Sequence, residues 1–434
     1  MANERTPEVL IVGAGPVGLF TALALSRRGI RVQVVDTGVW AVTHSYALAL
    51  HPQSLKLLQS LGLLERVLDT GYIVRGIALF DGSSRRAQVH VERNGDPASC
   101  VAVLGQDALE HVLERALQDH GVRVSWKHEV SALAPERDRV VATIDEYEQE
   151  SRGYVVARTE WVVARSARFE AAYVVGADGY NSRVRRALNI DFPEVGAAQY
   201  YAVFEFESDF DAENEIRIAL GERTTDVLWP LPEGYCRWSF ELPGYSDAEA
   251  EALQEHFRSS GSGSFPAKRS KDRRLAAQFG AMPELDENAL RRFLGERAPW
   301  FKGSIDHLTW KTIVRFERRL AGAYGRERLW LAGDAAHLTG PVGIQSMNVG
   351  LAEANDLADA LARVLRDRAD PQQLAGYGQR WTAEWRRLHG IDGGLAPHDG
   401  ADPWIAQNAH RLMTCLPAHG AELNALAGQL RLKA

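Results

Sequence analysis

Two rhythms of apolar and polar residues run along the 434-residue chain. Residues 8–12 (EVLIV) form an unbroken apolar run that stops at a glycine, the pattern of a buried parallel strand. Small and apolar residues then dominate 19–28, and Arg27, Arg28 and Gly29 predict the end of a helix. Residues 31–35 (RVQVV) predict a second strand with Asp36 at its end. Apolar strands end in glycine twice more, at Gly176 and Gly333. Between those two points the rhythm changes. Residues 200–207 (YYAVFEFE), 217–220, 228–232 and 235–242 read as half-buried strands, joined by others around 76–80 and 88–91. An amphipathic stretch running to Arg366 predicts a long helix, and residues 389–434 predict one or two more. There is no internal repeat.

The first turn has a physical logic. In Gly13-Ala14-Gly15-Pro16-Val17-Gly18, Gly13 permits a tight turn, Gly15 lets a pyrophosphate approach the backbone, and Gly18 lets the helix pack on the strand. The helix N-terminus offers unpaired N–H groups and partial positive charge to phosphates. Asp36 would accept hydrogen bonds from ribose hydroxyls and repel a 2′-phosphate, so the nucleotide expected here is FAD or NAD. The glycines and Pro16 interrupt residues 9–25, which argues against a signal peptide or membrane span.

Composition narrows the classes. The formal net charge of -7 argues against a nucleic-acid partner, which would want a basic face. Cys100, Cys236 and Cys415 are far apart with no C-x-x-C pair, so a disulfide framework, a zinc site and a flavin disulfide reductase are all disfavoured. The chain reads as cytoplasmic. His398 and His410 lack partners at metal-ligand spacing, so no metal is expected, and His337 reads as structural.

Two further motifs separate FAD from NAD. Asp178-Gly179 follows the apolar run at 174–176, and Gly333-Asp334 follows the one at 329–332. Both aspartates fall where a strand ends, the place where open α/β sheets bind ligands. With the glycine-rich turn, these motifs resemble, in order and rough spacing, the para-hydroxybenzoate hydroxylase-type (class A) flavin monooxygenases over residues 8–385. The resemblance implies that Asp334 binds a ribityl hydroxyl of FAD, and that Asp178 lies near the pyrophosphate and helps a nicotinamide donor dock. Gln106 matches a position that contacts FAD from the start of a helix, and Val130 one whose backbone touches adenine. Gly13, Gly15, Pro16, Val17, Gly18, Asp36, Thr37 and Gly333 complete the expected nucleotide contacts.

The segment 340–350 resembles the family loop that lies against the isoalloxazine. Gly343, Ile344, Gln345, Ser346, Met347 and Asn348 are its expected contacts, with the helix N-terminus toward the pyrimidine edge, and the Pro341 carbonyl near C4a. Two departures stand out. Many members carry glycines at the positions of Ile344 and Ser346, where side chains would crowd the flavin or alter its mobility. Members also usually carry an arginine just before Ala47, where this chain has His44-Ser45-Tyr46; that phosphate contact is either lost or replaced by His44, Ser45 or Tyr46, with Ser45 counted among the expected cofactor contacts.

The fold implied is α/β: a discontinuous GR2-type Rossmann-like FAD-binding domain (1–73, 100–183, 310–388), an inserted mixed-sheet substrate domain (74–99, 184–309) and a C-terminal helical segment (389–434). Tyr201, Trp229 and Trp238 are candidates to line the substrate cavity, with core packing as the competing reading. The serine- and glycine-rich 259–264 predicts a flexible loop. The basic run 268–274 reads as a solvated charged segment, with docking of an NADPH phosphate as the lesser alternative. The expected activity is a monooxygenase using NADPH or NADH and O2 to hydroxylate or epoxidise an apolar aromatic or polyketide-type molecule through a C4a-hydroperoxyflavin, as a monomer or homodimer. Alternatives are a reductase or desaturase, a halogenase (disfavoured because no W-x-W occurs), and a non-catalytic flavin-binding protein.

Overall fold

The structure, a computed structural model, describes residues 7–39, 47–92, 95–152, 158–243 and 285–433. His44, Ser45 and Tyr46, the loop 259–264 and the basic run 268–274 lie outside the described residues.

A mostly parallel sheet of six strands carries the nucleotide-binding motifs. Its order is Gly325–Arg326, Leu329–Leu331, Tyr173–Gly176, Val9–Val12, Val32–Val35, Val124–Ser125, and only the first of these is antiparallel to its neighbour. Val9, Leu10 and Ile11 are fully buried because both faces of the sheet are covered, which is why the sequence run is apolar without alternation. The helix Pro16–Arg27 starts with proline at its first turn, where the missing N–H costs nothing. It packs against the 22-residue helix Gln345–Arg366. A Cβ at Gly350 would stand 2.9 Å from Val17 Cγ2 and 3.1 Å from Gly333 Cα, so glycine sets how closely the two helices and the Gly333 turn approach.

The second sheet has eight strands, in the order His337–Leu338, Asp306–Leu320, Glu194–Glu207, Tyr235–Glu241, Thr225–Pro230, Glu215–Leu220, Gly76–Asp81, Ser84–His90. Glu215–Leu220 and Gly76–Asp81 pair in parallel, which makes the sheet mixed. Its two faces pack differently. Phe204, Phe206, Trp238 and Phe240 face the helix Glu287–Arg297, while Tyr201, Val203, Val227 and Trp229 join the core under the first sheet. Asp306–Leu320 pairs along its length with Glu194–Glu207, so this strand runs through the expected boundary at 310.

Two smaller sheets had no sequence counterpart. His128–Pro135, Val140–Arg152 and Arg158–Ala171 form an antiparallel sheet, and Ala47–Leu50, Val101–Gly105 and Tyr72–Val74 form another. The first mixes apolar and polar residues on its exposed positions, Trp161 and Val163 among them, so it lacks the clean alternation that would have revealed it. The C-terminal stretch forms the helices Pro403–Leu412 and Gly420–Gln429, with Ala396–Pro397 paired to Leu432–Lys433. Among the described residues no helix is long and apolar enough to cross a membrane, and no group of three His, Cys, Asp or Glu is placed to hold a metal.

Candidate functional site

A cleft of about 680 Å³ runs along the carboxyl ends of the parallel strands. Gly13, Gly15, Pro16 and Val17 form one wall; Asp36 and Thr37 close one end, and Asp178, Asp334 and Met347 stand further along. Gln106, at the first residue of the helix Gln106–Asp119, and Val130 complete the side nearest Trp126 and His128. Gln106 is oriented by its own helix, donating from Nε2 to Glu110 Oε1 at 2.8 Å. The volume suits a cofactor-sized ligand.

The three glycines do three different things. Gly13 has φ +105°, and a Cβ there would lie 2.2 Å from the Ala177 carbonyl oxygen. A Cβ at Gly18 would lie 2.0 Å from the Gly13 carbonyl oxygen, so these two glycines serve the packing. A Cβ at Gly15 would meet no protein atom within 4 Å and would project into the cleft, as expected if that glycine clears space for a ligand. Asp36 shapes the loop as well as its mouth. Its Oδ2 accepts from Ala14 N at 2.7 Å and its Oδ1 from Gly38 N at 2.6 Å, which leaves each oxygen a second lone pair for ribose hydroxyls.

Asp178 caps the helix Arg183–Ala187: its Oδ2 accepts from Arg183 N at 2.6 Å and from Val184 N at 3.2 Å. Its Oδ1 is buried and closes no hydrogen bond among the described residues, and burial raises the pKa of the carboxyl. An unpaired buried acceptor beside a nucleotide-sized cleft fits a site completed by a ligand. Arg185, which the motif reading passed over, ties the two aspartate turns together. Its Nη1 donates to Ala335 O at 2.7 Å and its Nη2 to Tyr180 O at 2.6 Å, while the guanidinium lies 3.8 Å from the Phe192 ring centroid. Its sequence signal was an arginine seven residues after Asp178, inside the first turn of a helix.

Asp334 opens onto the cleft while protein surrounds the rest of it. Those surroundings raise its pKa, and the Ser346 hydroxyl, donating to Oδ1 at 2.7 Å, opposes the rise. Beneath it lies a fully buried carboxylate, Glu353. Its Oε1 accepts from Tyr324 Oη at 2.9 Å and Trp385 Nε1 at 2.7 Å; its Oε2 accepts from Gly333 N at 2.9 Å and His337 Nε2 at 2.9 Å. The His337 ring stacks on Trp385 at 3.9 Å.

The loop before the long helix is held from several sides. Ile344 takes left-handed φ 46°, a conformation rare for a β-branched residue. This explains why glycine suits the position. Gly343 O accepts from His51 Nε2 at 2.8 Å, and burial pushes that imidazole down to about 3, so it is neutral. Asn348 donates to Ala49 O at 2.7 Å and Ile344 O at 2.8 Å, and accepts from His51 N and Ser54 Oγ. Gln345 Nε2 donates to Met413 O at 3.0 Å. Gly343, Ile344, Gln345 and Asn348 therefore stand behind the cleft wall, with Met347 in it and Ser346 reaching it through Asp334. Pro341 stands in the turn beside Gly340, where a Cβ would lie 2.7 Å from Gln199 Oε1.

A second cavity of about 380 Å³ is lined by Gln199, Thr225, Glu241, Arg318, Thr339 and His389, Thr339 being the residue before that turn. An adjoining one of about 320 Å³ shares Gln199, Glu241 and Arg318. None of the three expected aromatic residues lines either cavity. Trp238 sits in the opposite face of the sheet, stacked on Phe240 at 4.9 Å. Tyr201 and Trp229 are on the inner face but buried in core, Tyr201 edge-on to Phe316 at 5.7 Å.

Comparison with known proteins agrees with this geometry. The family model described as FAD binding domain matches residues 6–388. The 6-methylpretetramide 4-monooxygenase of Streptomyces rimosus is 30% identical over 379 residues, covering 86% of this chain and 58% of that protein. The pentachlorophenol 4-monooxygenase of Sphingobium chlorophenolicum is 25% identical over 399 residues, covering 90% of this chain and 64% of that protein. The chain thus spans less than two-thirds of the length of these relatives. The crystal structure of p-nitrophenol 4-monooxygenase from Pseudomonas putida shares the fold with a TM-score of 0.67 at 21% identity, over 97% of this chain and 91% of that one. The family match runs from the first parallel strand to the end of the helix Gln373–Leu388, and the chain belongs to this FAD-binding-domain family, that of the para-hydroxybenzoate hydroxylase-type flavoproteins its three motifs resemble.

Proposed function

We propose that the protein is an FAD-dependent monooxygenase that takes electrons from NADPH or NADH and one oxygen atom from O2 to hydroxylate or epoxidise an aromatic or polyketide-type small molecule. The observation that carries the reading is the placement of Asp36, Asp178 and Asp334 along one cleft at the carboxyl edge of one parallel sheet, with a second cavity at Thr339, beside the 340–344 turn. The relatives named for a pretetramide and a pentachlorophenol support the substrate class.

Bound FAD would supply hydride acceptance and oxygen activation. The chain's own residues bind and orient. In this reading Gly15 clears the pyrophosphate path, Asp36 receives the adenosine ribose, and Asp334 a ribityl hydroxyl. Asp178 stands near the pyrophosphate. The N-terminus of Gln345–Arg366 presents partial positive charge to the ring. The turn 340–344 leads in the chain from Thr339 at the second cavity to Met347 in the cleft, and in this reading its backbone, Pro341 included, shapes the boundary between cofactor and substrate and keeps water from it. We infer a division of labour to match: the parallel sheet half holds FAD, and the eight-stranded sheet half faces the substrate. We also infer a cytoplasmic setting, since the three cysteines are free and buried and burial raises their thiol pKa values.

The test is oxygen transfer. Holoprotein supplied with NADPH, labelled O2 and phenolic or polyketide candidates should oxidise NADPH faster when a substrate is present and put labelled oxygen into product. FAD binding with only peroxide release, whatever ligand is offered, would sink the oxygenase and favour a reductase, desaturase or non-catalytic flavoprotein.

A further inference from the structure

Two segments leave the parallel sheet on either side of its central strands. The turn at Asp178 and the helix Arg183–Ala187 follow Tyr173–Gly176, and the strand His128–Pro135 follows Val124–Ser125. Between those two strands of departure lie Val9–Val12 and Val32–Val35, whose carboxyl ends carry the glycine turn and Asp36. Three strand spacings therefore separate the segments at the sheet, about 14 Å. Side chains nevertheless join them. Arg183 Nη2 forms an ion pair with Glu129 Oε1, and both residues line the cleft.

Each end of this tie is anchored in a cofactor motif. On one bank Asp178 Oδ2 accepts from Arg183 N at 2.6 Å. On the other, His128 N donates to Asp36 O at 2.8 Å and Lys127 N to Gly38 O at 2.8 Å, which fixes Glu129 beside the ribose corner. The Glu129 side chain is 15% exposed, that of Arg183 47%. The second oxygen of Glu129 is held from the next strand, where Tyr147 Oη donates to Oε2 at 2.5 Å. That bond raises the pKa of the phenol, so Tyr147 stays a donor.

A carboxylate on the wall of a cleft built for a pyrophosphate would repel its ligand if it stood alone. Here it is paired with a cation from the opposite bank and braced by a hydroxyl. We propose that Arg183, Glu129 and Tyr147 form a strap across the cofactor cleft that retains bound FAD and slows its release. The inference takes from the oxygenase reading only that FAD occupies the cleft.

The test follows FAD release from the holoprotein by recovery of flavin fluorescence after dilution. Glu129→Gln keeps the shape and removes the charge. It should speed release roughly five-fold, the upper range for an ion pair partly open to solvent. Tyr147→Phe should speed release less, in the same direction, and carries the test should Glu129→Gln fold poorly. In an Arg183→Gln background the Glu129→Gln change should no longer speed release, because the tie is already cut. Melting of the apoprotein should hold in all of these variants, which separates loss of the strap from loss of the fold. Simple repulsion between Glu129 and the pyrophosphate predicts the opposite sign, so slower release from Glu129→Gln overturns the proposal. Unchanged release in both Glu129→Gln and Tyr147→Phe overturns it too, as does the same acceleration with Arg183 already replaced. The rates need neither substrate nor NADPH, so failure of oxygen transfer leaves this test intact, and failure of the strap leaves the oxygenase reading standing.

Discussion

The hydroxyl of Ser346 donates to Asp334 Oδ1 at 2.7 Å and stands 3.4 Å from His337 Nδ1, while His337 Nε2 meets Glu353 at 2.9 Å. A residue that looked like an obstruction in the flavin loop is a hydrogen-bond donor to the expected ribityl contact. Asp334 has its pKa raised by burial, above the ordinary 3.8, with Ser346 lowering it. A raised folded pKa favours the protonated acid in the folded chain, so this group's contribution to stability is full below 3.8 and is lost as pH rises through the folded value. FAD binding runs the other way, because the ionised form is the better acceptor of a ribityl hydroxyl. Ser346→Ala should therefore weaken FAD binding roughly ten-fold and move its acid-side loss to higher pH, by removal of one hydrogen bond to a charged group. Fluorescence titration of apoprotein with FAD across a pH series checks both.

Gly13 and Gly15 should separate folding from cofactor binding. Gly15→Val places its side chain in the cleft, so melting of the apoprotein should stay close to wild type while FAD binding is lost. Gly13→Ala meets the Ala177 carbonyl oxygen at 2.2 Å in a backbone conformation with φ +105°. It should cost about 2–4 kcal/mol of stability before any cofactor is added. Thermal melts with and without FAD distinguish the two.

Glu353 collects four donors in a site without solvent. Glu353→Ala should destabilise the protein by about 3–5 kcal/mol, since it strands His337, Trp385, Tyr324 and the Gly333 amide together. Glu353→Gln keeps one acceptor oxygen and turns an N–H toward the remaining donors, so it should still cost roughly 2 kcal/mol. Denaturant unfolding of the two variants gives the ranking, and equal stability with wild type would show that the network carries no weight.

Ile344 sits half-buried at left-handed φ 46°. Replacing a half-buried isoleucine by glycine ordinarily costs about 2–3 kcal/mol in packing and chain entropy. Relief of the left-handed strain offsets about 1–2 kcal/mol of that. Ile344→Gly should thus cost about 0–2 kcal/mol, and Ile344→Ala, which loses packing and keeps the strain, should cost at least as much. Denaturant midpoints decide between them.

What was legible in the sequence was local. Gly13, Gly15 and Gly18 advertise their turn because strand, turn and helix are contiguous, and Asp178 and Asp334 follow strands whose burial makes them uniformly apolar. Trp238 was misplaced because its face depends on register. It pairs with Leu228, one residue from Trp229, so the two tryptophans point to opposite sides of the sheet. Arg318 and His389 are brought together by tertiary packing alone, and neither carries a motif.

The turn at 413–416 constrains the loop before the long helix through its backbone carbonyls. A Cβ at Gly343 would lie 2.5 Å from Thr414 O and 3.2 Å from Leu416 O, and Gln345 Nε2 reaches Met413 O and Leu416 O. Every one of those contacts is a main-chain carbonyl. Residues 413–416 keep these contacts so long as the chain holds its path and the side chains of Met413, Cys415 and Leu416 stay packed in the core, whereas Gly343 and Gln345 are held by the contacts themselves. What this corner supplies to the loop is the route of its backbone, which the side chains of residues 413–416 do not spell out.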